Sequence, residues 1–158
     1  MGTRSRIAIK DGDTFKSVYC HWDGYIEYNG RMLHEHYGRF KAEALIGHGD
    51  ISSLKPEIGE KHLFSAAEAS IPEDVYEAMV ADGEWTTFYG RDRGDEYCSA
   101  KLAYTFKEFL EQCNCCNAEY YYVMENSKWF VGSTNSEFKG RLVLLEDVLE
   151  DLSETESI

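Results

Sequence analysis

The run Tyr19-Cys20-His21-Trp22-Asp23-Gly24-Tyr25 sets a thiol, an imidazole, an indole, a carboxylate and two phenols within seven positions. Histidine titrates nearest neutrality, so His21 could act as an acid or base. Asp23 could orient it, provided a turn folds the carboxylate back to within roughly 3 Å. His21 and Asp23 are thus the candidate catalytic residues. Cys20 and His21 do not form a nucleophile–base pair, because neighbouring strand residues point to opposite faces. The plainer alternative is a partly buried Trp22, a core Cys20 and a polar turn that meets a helix.

A second polar concentration spans Thr87–Asp95, with Thr87, Tyr89, Arg91, Asp92 and Arg93. Guanidinium forks match phosphate and carboxylate, so Arg91 and Arg93 could grasp either, or could neutralise Asp92, Asp95 and Glu96 on a solvent loop. With Trp22, Tyr25 and Tyr89 they make up the candidate ligand-binding set. Gly90-x-x-x-Gly94 has neither the Gly-Lys-Ser/Thr ending of a phosphate loop nor Rossmann spacing. The thiols Cys113, Cys115 and Cys116 have partial zinc-ligand spacing but lack a second pair, and buried helix-end cysteines account for them without an ion. The expectation is no metal and no cofactor. His34, His36, His48 and His62 make no recognised ligand motif, and His34 and His36 would diverge on a helix.

The elements that must position these groups follow from periodicity. Alternation around Ile7 and Ile9 predicts a strand over Ser5–Lys10, a turn at Asp11-Gly12-Asp13, and a returning strand over Phe15–Cys20. That period places Val18, Cys20 and Trp22 on one face and Tyr19 and His21 on the other. Helical spacing predicts two short helices, Tyr28–Tyr37 and Phe40–Gly47, parted by Gly38. Residues 50–70 read mostly as loop, with a short helical turn near Ile51. Pro72 introduces a helix over Glu73–Ala81. Trp85–Tyr89 reads as a strand, and Ser99 as the cap of a helix from Ala100 to Glu111. Tyr120–Glu125 and Lys128–Val131 pair around Asn126-Ser127, an aromatic hairpin that covers the sheet or could support a homodimer. Leu142, Leu145, Leu149 and Leu152 describe an amphipathic closing helix. The sum is a compact single α+β domain over residues 1–152, with an antiparallel sheet, several short helices and a flexible tail over 153–158.

Composition narrows the partners. The formal charge is −13, and the first 50 residues balance seven cations against seven carboxylates, so the remainder carries the whole excess. Direct nucleic-acid binding wants the opposite sign. No apolar run approaches the ~18 residues of a membrane span. Strand-like alternation after Arg4 and Arg6 argues against a secretory signal, and five cysteines in an unpaired pattern suit a reducing cytoplasm.

The opening Met1-Gly2-Thr3-Arg4-Ser5-Arg6-Ile7, the Tyr19–Tyr25 run and Gly49-Asp50-Ile51-Ser52-Ser53-Leu54 resemble a group of small uncharacterised bacteriophage and bacterial proteins. The resemblance covers mainly the first third, with weaker similarity around Tyr89–Asp95. It implies an accessory role in a bacterial host cell and carries no assigned activity or catalytic residues. The leading expectation is an acidic phage-type protein that binds a basic host-protein surface, as an inhibitor or nucleic-acid mimic. The alternative is a small hydrolase or ligand-binding domain using His21 and Asp23.

Overall fold

A computed structural model describes residues 3–59, 85–135, 137–138 and 140–156, with backbone alone over 153–156. The helix expected over Glu73–Ala81 lies outside the described residues.

β1 (Ser5–Asp11) and β2 (Thr14–Cys20) form the opening hairpin, in register from Ser5↔Cys20 to Asp11↔Thr14. β6 (Tyr120–Glu125) and β7 (Lys128–Ser133) form the second hairpin. Its two turn residues, Asn126 and Ser127, both take positive φ, at 51° and 64°, as a tight hairpin twist requires. The hairpins join through β1 and β6, which run parallel from Ser5↔Tyr120 to Ile9↔Met124. β8 (Val143–Leu144) extends the β7 side.

On the other side, the outer edge of β2 is shared. β5 (Lys101–Ala103) pairs antiparallel along Phe15–Ser17, and β3 (Ile51–Ser53) pairs parallel at Cys20. β4 (Thr87–Phe88) closes that side against β3. The fold is α+β as expected, but the sheet is mixed, with two parallel pairings. Only the local hairpins leave an antiparallel signature in sequence, whereas β1–β6 and β2–β3 join distant segments.

β1 and β6 are covered on both faces. Ile7, Ile9, Tyr122 and Met124 point to a first core, while Ala8, Tyr121 and Val123 point to a second. The first core is roofed by a π-helical turn (Ile26–Gly30), α1 (Arg31–His36), α2 (Arg39–Gly47) and α4 (Leu145–Glu156). Gly38 precedes α2 and parts it from α1. The Trp129 indole N–H donates to the Tyr37 carbonyl at 2.8 Å and ties the end of α1 to the sheet. The second core is roofed by α3 (Phe106–Cys115), whose Phe109 stacks on Phe15 at 4.9 Å and meets Tyr121 edge-on at 5.6 Å.

Three expectations need correction. Ile51 opens a strand rather than a helical turn, because its neighbours Cys20 and Phe88 supply ladder partners on both sides. Residues 101–103 are β5, and the helix starts later than expected. Thr105, not Ser99, caps it: its hydroxyl accepts from Glu108 N at 3.1 Å, and the Glu108 carboxylate accepts from Tyr104 N at 3.0 Å. That reciprocal arrangement is close to a capping box, and Thr105-x-x-Glu108 is its sequence signature. Finally, Leu142 precedes the closing helix and packs on the second core, while Leu145 and Leu149 fill the first. α4 runs through Glu156, past the point where the sequence places a tail.

Tyr121, Tyr122 and Trp129 of the aromatic hairpin are buried, and Tyr120 and Phe130 half-buried. The hairpin lies inside the sheet between β1 and β8, so most of its rings are core.

Candidate functional site

The end of β2 is held by polar ties to the opening of β1. Gly24 N donates to Thr3 O at 2.7 Å, and the buried Tyr122 hydroxyl donates to Gly24 O at 2.6 Å. Asp23 turns the chain with φ of 57°, and its carbonyl accepts from Asn29 N. Asn29 is fully buried. Its amide nitrogen faces Ser5 Oγ, Cys20 Sγ and Trp22 O, each at 3.3 Å. A buried polar side chain must find such partners, and here they fix the turn from inside. Burial pushes the Cys20 thiol up to about 12, so it stays protonated as part of the packing.

Tyr19 and His21 stand on the opposite face from Val18 and Cys20, as period two requires. The Tyr19 hydroxyl lies 2.6 Å from His21 Nδ1, and Trp22 meets the imidazole edge-on at 4.5 Å. Trp22 itself is 43% exposed. It leaves the strand alternation because its backbone N–H turns to Ser52 O. No hydrogen bond joins His21 to Asp23 among the described residues; the partner of the imidazole is Tyr19. Tyr25 is exposed on the far side of the turn, beside Tyr28.

The β1–β2 register extends the set. Arg6 lies across from Tyr19, Arg4 shares the face of Arg6 by period two, and the Arg4 charge acts on both Tyr19 and His21. β3 brings in Asp50, whose Oδ1 accepts from Tyr19 N at 2.9 Å and whose carbonyl accepts from Tyr89 N at 3.1 Å. Arg93 then lies over the Tyr89 ring at 5.5 Å. Of the sequence-derived ligand set, Trp22, Tyr89 and Arg93 therefore gather near His21, while Tyr25 does not.

Arg91 has another task. Its guanidinium donates to the carbonyls of Ile58, Gly59 and Thr86, pairs with Asp92, and lies over Phe88 at 4.5 Å. Asp92 Oδ2 in turn accepts from Phe88 N at 2.7 Å. This is a brace across β4. Sequence reasoning missed Arg4 and Tyr19, which only the β1–β2 pairing could have placed beside His21.

α3 covers the second face only as far as its C-terminal cysteines. Cys113 is buried, and its thiol is pushed up to about 12 by that burial; Cys116 is half-buried, and Cys115 is exposed. Among the described residues, no three His, Cys, Asp or Glu side chains are grouped so as to hold a metal ion. His34 and His36 both border one cavity of ≈ 330 Å³ beside Trp129, so the short α1 does not carry them fully apart. His48 lies at the Phe88 ring, 4.9 Å away.

Burial raises Tyr19 to about 12 and holds His21 below its usual 6.5, with the charges of Arg4 and Arg93 adding to the second effect. The unfolded chain therefore takes up this proton first as pH falls. Stability is full above about pH 6.5 and declines as pH drops through the lower folded value. His48, lowered by burial and then by Arg91, acts with the same sign. Urea unfolding at about pH 7.5 and 5.5 should show a smaller acid loss in His21→Gln than in the parent. An equal loss in both would remove His21 from this account.

Comparison with family models, with curated proteins and with solved structures returned no match. Among the described residues the chain is built on a mixed eight-stranded sheet with a hydrophobic core on each face.

Proposed function

We propose that the protein is an acidic accessory protein, of the phage type its sequence resembles, that binds a host protein through carboxylates facing a basic surface, as an inhibitor or nucleic-acid mimic. The observation that carries this reading is the convergence of carboxylates from separate elements. Burial raises the Tyr120 phenol far above its usual 10, and Glu137, Glu119 and then Glu27 of the π-turn add to the shift. α4 packs against that π-turn and presents exposed Glu146, Asp147, Glu150 and Asp151.

Many of the cations are occupied within the fold. Lys10 pairs with Glu125, Arg39 with Glu43 and Lys41 with Glu57, while Arg91 braces β4. Such a one-sided field speeds encounter with an oppositely charged partner and weakens with salt.

The test is affinity capture from bacterial extract with the parent and a Glu27→Lys/Glu119→Lys/Glu150→Lys variant, folding being checked by circular dichroism. A specific partner should be held about tenfold less well by the variant, and less well by the parent as salt rises. The same partner held equally by both would sink the electrostatic reading. The hydrolase alternative has no His21–Asp23 hydrogen bond among the described residues to support it, since the imidazole faces Tyr19. Its ligand-binding form keeps the Tyr19–His21 pair as its support.

A further inference from the structure

At one end of the second face, half-buried Arg4 and His21 and exposed Arg93 make a cationic patch within an acidic chain. Arg4 lies one residue beyond the Ser5↔Cys20 pair and its charge acts on His21, and Arg93 is held over Tyr89, whose backbone shares Asp50 with Tyr19. Both charges that act on His21 are arginines. When the Tyr19 hydroxyl donates to Nδ1, the neutral imidazole carries its proton on Nε2, which has no hydrogen-bond partner among the described residues. Asp50 does not fill the patch: its Oδ1 is turned onto Tyr19 N, and Arg6 and Lys101 act on its charge.

Arg6 is an independent sign. It is 2% exposed, yet its guanidinium meets only neutral groups: Ser17 Oγ at 2.7 Å, Ser17 O at 3.3 Å and Cys116 Sγ at 3.9 Å. Buried charges are normally paired, and no carboxylate makes an ion pair with Arg6 among the described residues. Asp50 feels the Arg6 charge but makes no ion pair with it among the described residues, and an anion above Tyr19 and His21 would add to that counter-charge.

We propose that this patch binds a phosphate group, with the Arg4 and Arg93 guanidiniums and the His21 Nε2–H as donors. Three donors on three chain segments suit a group with three free oxygens better than a planar carboxylate with two. Arg6 adds field from beneath. Trp22, half-exposed at the edge of the imidazole, would lie beside an organic substituent.

The site is separate from the acidic surface, and one experiment tells them apart. Imidazole ¹H–¹⁵N spectra of the full chain are followed during titration with inorganic phosphate, phenyl phosphate, acetate, or chloride at matched ionic strength. His21→Gln assigns the His21 signals. Either phosphate should move them saturably. Tighter binding of phenyl phosphate identifies a monoester as ligand, and equal binding identifies free phosphate.

Arg4→Met and Arg93→Met should each weaken binding on the order of tenfold. The exposed Arg141→Met and a Glu150→Lys variant on α4 should bind as the parent does. Arg93 stands on an exposed loop, so its variant serves even if Arg4→Met fails to fold. No saturable shift of His21, unchanged affinity in Arg93→Met, or an equal response to acetate or chloride would overturn the proposal.

Discussion

Gly132→Ala should destabilise the protein by about 3 kcal/mol or more, the upper range for overpacking a filled core. Gly132 lies across from Tyr121 in the β6–β7 ladder, and the tyrosine ring lies flat over it. A Cβ there would stand 2.3 Å from Cε2, 2.4 Å from Cζ and 2.6 Å from the hydroxyl of Tyr121. The ring has nowhere to retreat, because Phe109 meets it edge-on and Phe106 approaches at 6.1 Å. Urea titration measures the loss. Adding Tyr121→Leu to the variant should recover part of it, since the smaller side chain vacates the space that the methyl needs. A Gly132→Ala protein as stable as its parent would mean that the ring does not lie across β7.

Gly24→Ala should cost on the order of 2–3 kcal/mol and should also disturb the cationic patch. Here the obstacles are largely backbone: a Cβ would meet Ser5 Cβ at 2.7 Å, Thr3 O at 2.8 Å and Arg4 C at 2.9 Å. Main-chain atoms cannot rotate aside, so the start of β1 must move. Both ties of Gly24, to Thr3 and Tyr122, would strain with it. Arg4 moves too, which should raise the His21 pKa toward 6.5 as one of its two cationic neighbours withdraws. Denaturation and a histidine titration by NMR give the two readings. A loss of stability with His21 unchanged would show that Arg4 and the imidazole are not linked through this turn.

Much of the local architecture could be read directly. Alternation in Ser5–Lys10 marks the first hairpin and the polar Asn126-Ser127 turn the second, and period two correctly separates Tyr19 and His21 from Val18 and Cys20. What escaped depends on partners distant in sequence. Ile51-Ser52-Ser53 and Lys101-Leu102-Ala103 are too short to show a period, and each becomes a strand only because β2 offers an edge. The cap at Thr105 was present as Thr-x-x-Glu but was passed over for the earlier Ser99.

In the patch, proximity along the chain misled. Asp23 is two positions from His21, yet its turn serves Asn29, while the charge of Arg4, seventeen positions earlier, reaches the imidazole. Arg91 and Arg93 looked alike in sequence, but the carbonyls of 58, 59 and 86 capture one and leave the other over Tyr89. Side-chain type indicated the chemistry, and strand pairing decided which groups share a face.

The parallel pairing of β1 with β6 also bears on how the chain matures. Lys10 and Glu125, bridged at the end of that pair, are 115 positions apart. At translation rates of about 5–20 residues per second, the opening hairpin leaves the ribosome many seconds before its permanent neighbour is made. Through that interval, one whole edge of β1 is without its ladder and the second face of the hairpin lacks α3, although α1 and α2 follow closely on the first face. The nascent chain thus passes through a stage in which this hairpin is a natural client for chaperones, and native pairing must await nearly the entire sequence.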